Sequence, residues 1–259
     1  MSTAEGTVRF ERVGTVAIIT LDRPQKLNAY SPEMYELLIQ AFAQFKDDKD
    51  LRAAILTGTG DRAFCAGADL SKTITKLTDG GERHAAKDIT KRFFSDIYKP
   101  IITAVNGICT AGGLEMMQGT DLRLAVPNAT FGLGEVRWGI TPGGGSHVRL
   151  PRQIPWAVAM EILLTGQPIS AQRAYEVGLI NRVVEPEDLM DEALKLAEII
   201  GRNGPLAVKA AKEIAVRAMA LESPFELEYY ISNEVLRTED AKEGPRAFAE
   251  KRAPDYKGR

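Results

Sequence analysis

Residues 101–126 read IITAVNGICTAGGLEMMQGTDLRLAV, and this stretch decides the fold class. The run Ile101–Val105 is rich in β-branched residues and predicts a buried strand. Gly112 follows a glycine-rich turn and marks the start of a predicted helix, and Leu122–Val126 predicts the next strand. A strand, a turn, a helix and another strand in this order are typical of an α/β protein.

The pattern extends outward from this stretch in both directions. Thr7–Arg12 and Thr15–Leu21 predict two paired strands, and Ser31-Pro32 supplies the cap and first-turn proline of a helix. The charged segment Gly81–Tyr98 predicts a solvated helix, whereas the chain beyond Trp156 is mostly helical. We therefore predict an α/β core over residues 1–200, followed by a helical region over residues 201–259.

The composition excludes several classes of protein. Of 259 residues, 44% are hydrophobic, which rules out a disordered or fibrous chain. The 33 Lys and Arg residues against 35 Asp and Glu residues give a net charge of −2, which argues against a nucleic-acid partner. No apolar run approaches the roughly 18 residues that span a bilayer, so we expect no membrane association. Residues 1–12 lack the apolar core of a secretion signal, so we expect the protein in the cytoplasm.

The counts of metal-ligating residues are low. Cys65 and Cys109 are the only cysteines, and His84 and His147 are the only histidines. Two cysteines cannot build a disulfide framework, and two cysteines with two histidines argue against a zinc site. Packing in the core is the expected role of both cysteines.

Two familiar motifs are weak or missing. Gly58–Ala63 matches the glycine pattern of a dinucleotide-binding turn. Such a turn should open an amphipathic helix, but small residues follow here, so an ordinary glycine-rich loop is favoured. The chain also lacks the G-x-S-x-G motif of serine hydrolases.

Two glycine-containing segments are better candidates for chemistry. Ala66–Leu70 consists of small residues that let a ligand approach backbone N–H groups closely. Gly112-Gly113 stands at a helix start, where N–H groups without helical partners could stabilise a developing oxyanion. Tight packing of the helix against a strand explains the two glycines equally well, and spacing alone does not decide between them.

Two glutamates are the candidate acid–base residues. Glu115 lies in the first turn of the helix among Leu114, Met116 and Met117, where it could serve the helix dipole or act as a buried functional carboxylate. Glu135 lies among Gly, Leu and Val residues, and burial there would raise its pKa. An ion pair with Arg137 or simple exposure is the competing interpretation of Glu135.

Taken together, six segments resemble the crotonase (enoyl-CoA hydratase/isomerase) family and follow one another in the family's order. They are Leu21–Ala29, Ala63–Asp69, Asn106–Met117, Phe131–Gly145, Ala174–Val184 and Glu243–Arg252. The resemblance covers nearly the whole chain. It implies a spiral of repeated ββα units, a helical C-terminal trimerisation region, and a homotrimer or a hexamer of paired trimers. It also implies an acyl-CoA thioester as substrate, with coenzyme A as part of that substrate and no separate cofactor or metal.

The resemblance also assigns roles by position. The backbone N–H groups of Ala68 and Gly112 would hold the thioester oxygen, Glu115 would activate water, and Glu135 would exchange a proton with the α-carbon. Substrate and coenzyme A contacts would come from Lys26, Leu27, Ala66, Ala68, Asp69, Leu70, Ser71 and Gly112.

The resemblance favours hydration as the activity. Many family members that isomerise, hydrolyse or cleave C–C bonds lack one of the two glutamates, and this chain has both. We therefore expect an enoyl-CoA hydratase that forms a 3-hydroxyacyl-CoA. Residues 239–259 resemble the carnitinyl-CoA dehydratase branch, which is the first alternative. Another crotonase-fold activity, a nicotinamide oxidoreductase resting on Gly58–Ala63 and an RNA binder are weaker alternatives.

Overall fold

The computed structural model describes residues 6–69 and 88–259. The strands are β1 (Thr7–Val13), β2 (Val16–Asp22), β3 (Ala53–Gly58), β4 (Ala63–Cys65), β5 (Ile101–Val105), β6 (Ile108–Thr110), β7 (Leu122–Ala125), β8 (Thr130–Gly132), β9 (Ile169–Ser170) and β10 (Arg182–Val183). The α-helices are α1 (Pro32–Asp47), α2 (Gly112–Gln118), α3 (Ser146–Gln153), α4 (Trp156–Thr165), α5 (Ala171–Glu176), α6 (Leu189–Gly201), α7 (Pro205–Ala218), α8 (Glu222–Leu236) and α9 (Glu239–Ala249). Short 3-10 helices cover Pro24–Lys26, Gly134–Trp138 and Pro186–Asp188.

The strands form two sheets, and three pairs of consecutive strands are divided between them. The six-stranded sheet has the order β1-β2-β3-β5-β7-β10, and only its β1–β2 pair is antiparallel. The four-stranded sheet has the order β4-β6-β8-β9. In the pairs β3–β4, β5–β6 and β7–β8, the first strand joins the large sheet and the second joins the small one. This alternation is the spiral of ββα units that the family resemblance implied.

Local sequence signals account for the first helix and the core around it. The Ser31 hydroxyl accepts a hydrogen bond from the Met34 N–H at 3.3 Å and caps α1. Helix α1 buries an apolar stripe that includes Leu38 and Phe45. All residues of β3 and β5 are buried, as expected for central strands covered on both faces.

The predicted helix over Gly81–Tyr98 is wrong in the part that the structure describes. Residues 88–98 form turns, and the rest of that prediction lies outside the described residues. Asp88 Oδ1 accepts the Thr90 N–H at 3.0 Å, a local bond that competes with helical pairing. Phe94 has a φ of 62°, which no right-handed helix contains.

The run 179–184 predicts a short strand, but the strand in the structure covers only part of it. Only Arg182–Val183 pairs with β7. The N–H groups of Leu179 and Ile180 both donate to the Ala174 carbonyl and close the end of α5, so this part of the run cannot join the sheet. In the portion of the chain described, no helix is both long and apolar enough to cross a membrane.

Candidate active site

The first part of the site forms where the segment after β2 pairs with the loop after β4. The Ala66 N–H donates to the Leu27 carbonyl at 3.0 Å, and the Asp69 N–H donates to the Tyr30 carbonyl at 2.9 Å. The Tyr30 N–H in turn donates to the Gly67 carbonyl at 2.9 Å. These bonds bring together Leu27, Ala66, Ala68 and Asp69, four of the residues predicted to contact substrate. Lys26 is exposed at the end of the adjacent 3-10 helix, whereas Leu70 and Ser71 lie outside the described residues.

A buried ion pair holds this loop in place. Arg23 Nη1 lies 2.8 Å from Asp69 Oδ2, and the side chains are 3% and 11% exposed. The same nitrogen donates to the Ala29 carbonyl at 3.1 Å. Buried charges are stable only when they are paired and hydrogen-bonded, so Arg23 ties both segments to one position.

The loop and the start of α2 approach each other closely. Gly67 has a φ of +94°, and a Cβ on it would lie 2.7 Å from the Ala111 Cβ and 3.0 Å from the Gly112 nitrogen. The pairing of Tyr30 with Ala68 turns the Ala68 N–H away from Tyr30. Within the described residues, neither the Ala68 nor the Gly112 N–H donates a backbone hydrogen bond. Two such donors side by side could bind an oxyanion.

The two glycines at the start of α2 have different surroundings. A Cβ on Gly113 would collide with the carbonyl group of Cys65 in β4. A Cβ on Gly112 would instead collide with the hydroxyl of Tyr30. Gly113 therefore meets the need for close packing, whereas Gly112 faces the side chain of a residue in the site.

Glu115 is held inside the protein by a second glycine-rich loop. The residue is 5% exposed, and its Oε1 accepts the Gly144 N–H at 2.6 Å. A Cβ on Gly144 would lie 2.6 Å from the other carboxylate oxygen, Oε2. The loop around Gly144 thus fixes the orientation of this carboxylate, which a role in the helix dipole alone would not require.

Glu135 lies in the 3-10 helix that follows β8. Its Oε2 is buried and hydrogen-bonds to no group in residues 6–69 and 88–259. Burial, followed by the negative charge of Glu115, raises the pKa of Glu135 to about 8. Arg137 is exposed, and it forms no ion pair with Glu135 in the described structure. The two carboxyl groups therefore interact through charge, although their immediate surroundings differ.

Tyr30 also belongs to the site, although it is not among the residues that the sequence predicted. Burial raises the pKa of its hydroxyl well above the ordinary value, and the charges of Glu115 and Glu135 add to this shift. The residue directly follows the segment Leu21–Ala29 that resembles the family, but no local pattern singles it out. The same holds for Gly144, whose role depends on contact with a residue 29 positions away.

The other sequence candidates are not part of this site. Gly58–Ala63 links β3 to β4 and opens no helix, so it is an ordinary glycine-rich loop. In the described portion of the chain, no group of three or more His, Cys, Asp or Glu side chains could hold a metal ion.

Comparison with known proteins agrees with the family resemblance of the sequence. The model of the enoyl-CoA hydratase/isomerase family matches residues 11–259. Enoyl-CoA hydratase EchA19 of Mycobacterium tuberculosis is 43% identical over 96% of this chain and 96% of its own. The carnitinyl-CoA dehydratase of Proteus mirabilis is 41% identical over 95% of this chain and 96% of its own. The crystal structure of a carnitinyl-CoA hydratase from Mycobacterium avium superposes with a TM-score of 0.87 at 39% identity, covering 97% of this chain and 98% of that one. The chain therefore belongs to the enoyl-CoA hydratase/isomerase family, the crotonases.

Proposed function

We propose that this protein is a hydro-lyase that adds water reversibly to a 2-enoyl-CoA thioester and forms a 3-hydroxyacyl-CoA. Enzymes of the family act on acyl-CoA thioesters. The observation that carries the choice of reaction is the electrostatic coupling of two buried carboxyl groups, one of which has its pKa raised to about 8. Hydration needs one base and one acid at the same time, and two carboxyl groups in different environments can divide this work.

The chemical step follows from this division. Glu115, oriented by the Gly144 N–H, accepts a proton from water as the oxygen–C3 bond forms. Glu135, protonated below pH of about 8, gives its proton to C2. The negative charge that develops on the thioester oxygen is stabilised by the N–H groups of Ala68 and Gly112. One proton is accepted and one is donated, so the pair ends with the same total charge.

The coenzyme A moiety would lie along the loop that follows β4. Ala66 and Asp69 line this path, and Lys26 and Leu27 lie beside it through the bond from the Ala66 N–H to the Leu27 carbonyl. Leu70 and Ser71 complete the proposed contacts. Backbone pairing and the Arg23–Asp69 ion pair would hold the loop ready for the ligand, which lowers the entropic cost of binding.

The proposal is tested with Glu115→Gln, Glu135→Gln and the double variant. Each amide keeps the shape of the side chain but cannot transfer the proton, so each single change should lower kcat on crotonyl-CoA by roughly 10²–10⁴-fold. The double variant should be much less than multiplicatively worse, because both groups serve one transition state. Loss of enone absorbance measures kcat, and circular dichroism verifies the fold. A single variant with more than about a tenth of wild-type kcat would remove that glutamate from the mechanism.

A carnitinyl-CoA dehydratase-like activity is the second candidate. It is favoured by the carnitinyl-CoA dehydratase of Proteus mirabilis at 41% identity, and by the resemblance of residues 239–259. The reaction is the same, and the acyl group carries a trimethylammonium. A panel of straight-chain enoyl-CoA thioesters assayed beside crotonobetainyl-CoA decides between the two, through the ratio of their kcat/KM values.

We also propose a homo-oligomer, a trimer or a hexamer, assembled through the helical region 201–259. No residue of α7 is buried. Five large apolar side chains of α7 and α8 are more than half exposed: Leu206, Ile214, Leu227, Tyr230 and Ile231. An apolar surface of this kind is typical of an interface between subunits. Light scattering coupled to size exclusion measures the mass, and a monomer at micromolar concentration would contradict this proposal.

A further inference from the structure

Tyr30 connects the two proposed halves of the oxyanion hole. Its backbone pairs with Ala68 on one side. Its hydroxyl reaches the start of α2 on the other side, because it occupies the space that a Cβ on Gly112 would need. Tyr30 therefore contacts both of the segments whose N–H groups are proposed to bind the thioester oxygen.

Helix geometry gives the hydroxyl a more definite position. The Cα–Cβ bonds of a helix tilt toward its N-terminus. A group at the place of the missing Gly112 Cβ therefore lies at the N-terminal mouth of α2. The first N–H groups of the helix project into the same space and carry the positive end of its dipole. An oxygen atom bound by the Gly112 N–H would lie within reach of this phenol.

The hydroxyl is suited to donate a hydrogen bond there. Within the described residues it hydrogen-bonds to no other group. The charges of both Glu115 and Glu135 act on it, as expected for a group that faces the reaction centre. The same carboxylates and the surrounding burial disfavour its ionisation, so the phenol stays a donor.

We propose that the Tyr30 hydroxyl is a third donor to the thioester oxygen and assists the backbone N–H groups of Ala68 and Gly112 as negative charge develops. The inference rests on the proposed hydratase function and adds a side-chain donor to it. A side-chain donor differs from the backbone donors in one useful respect, since a single atom can be deleted without changing the main chain.

Tyr30→Phe is the decisive variant, and Tyr35→Phe is its matched control. The ring of Tyr35 packs beside that of Tyr30 with centroids 5.8 Å apart, and it belongs to α1. Loss of the Tyr30 hydroxyl should lower kcat by about 10²-fold, the lower end of the range for one oxyanion donor. KM should change little, because the bond strengthens as charge develops in the transition state. Tyr35→Phe should stay within about twofold of wild-type kcat.

The absorbance maximum of bound cinnamoyl-CoA is a measurement that a change in packing alone would not alter. Hydrogen bonds to the carbonyl polarise this conjugated thioester and shift its absorbance maximum to longer wavelength. Tyr30→Phe should reduce this shift, and Tyr35→Phe should preserve it. Wild-type kcat and shift in Tyr30→Phe would overturn the proposal, as would equal losses of kcat in both variants with an unchanged shift. If the wild-type protein hydrates no enoyl-CoA, the proposed function fails, and the cinnamoyl-CoA shift still tests the hydroxyl contact.

Discussion

At the scale of single residues, the proton on Glu135 decides how the site would work. Burial and the charge of Glu115 raise the pKa of Glu135 to about 8, so this carboxyl keeps its proton at neutral pH. Glu115 contributes the negative charge that adds to this shift, and the Gly144 N–H holds its carboxylate in place. The pair thus begins with one acid and one base. Proton transfer in hydration exchanges these roles without changing the total number of protons.

This exchange predicts the pH dependence of the reaction. Since addition of water consumes no net proton, the singly protonated pair is the active form in both directions. We expect kcat/KM to fall above pH of about 8 as Glu135 loses its proton, with the same apparent pKa for hydration and for dehydration. Initial rates in both directions between pH of about 6 and 10 measure this limb. A flat profile across pH 8, or opposite profiles in the two directions, would contradict the assignment.

At the scale of elements, the start of α2 shows how one short motif meets two demands. Gly113 allows the helix to pack against the Cys65 carbonyl of β4, and Gly112 leaves room for the Tyr30 hydroxyl. Spacing alone leaves packing and oxyanion binding as alternatives for the two glycines, but in the structure Gly113 packs on the Cys65 carbonyl and Gly112 faces the Tyr30 hydroxyl.

The two glycines should respond differently to the same small change. Gly113→Ala forces a methyl group against backbone that cannot move easily, so it should lower the free energy of unfolding by about 1–3 kcal/mol. Gly112→Ala meets the end of a side chain, so its stability loss should be smaller and its loss of kcat larger. Urea unfolding and crotonyl-CoA kinetics on both variants measure the contrast. Equal stability losses with equal kcat would show that both glycines serve packing alone.

Elements that form through contacts between residues near in sequence are easier to predict than those that depend on distant residues. The cap at Ser31 and the buried run Ile101–Val105 are local signals, and the sequence predicted both elements correctly. The turns at residues 88–98 are an exception, because local bonds such as that between Asp88 and Thr90 compete with the helical pattern and the sequence alone did not show which would form. Tyr30 and Gly144 were missed because their importance comes from neighbours distant in sequence, which neither hydrophobic period nor turn chemistry encodes.

At the scale of the whole molecule, the C-terminal end of the chain returns to the segment that carries Glu135. The Tyr256 hydroxyl donates to the Arg137 carbonyl at 2.8 Å. The ring of Phe248 meets that of Trp138 edge to face, with centroids 4.8 Å apart. Gly244 of α9 packs directly on the Trp138 carbonyl, where a Cβ would not fit. The 3-10 helix Gly134–Trp138 is therefore supported by residues more than a hundred positions away.

Glu243 anchors this C-terminal support. Its carboxylate accepts hydrogen bonds from Arg252, from the Asp255 N–H and from Arg246. These partners hold the pKa of Glu243 well below its usual range. A carboxyl group whose pKa is lower in the folded state stabilises the fold above its unfolded pKa of about 4.3, and this contribution is lost progressively as the pH falls further.

Glu243→Gln should therefore weaken the protein at neutral pH and lower kcat, because the support of the Glu135 segment loosens. The difference in urea midpoint between wild type and variant should be largest near pH 7 and should decrease below pH of about 4.3. Glu250→Gln is the matched control, since Glu250 Oε2 lies 2.6 Å from the same Arg252 but its side chain is 53% exposed. An exposed pair of this kind contributes only about 0–1 kcal/mol, so the control should change neither midpoint nor kcat appreciably. A Glu243→Gln difference that stays constant from pH of about 7 to 3.5 would show that the carboxylate charge does not hold the C-terminal support in place.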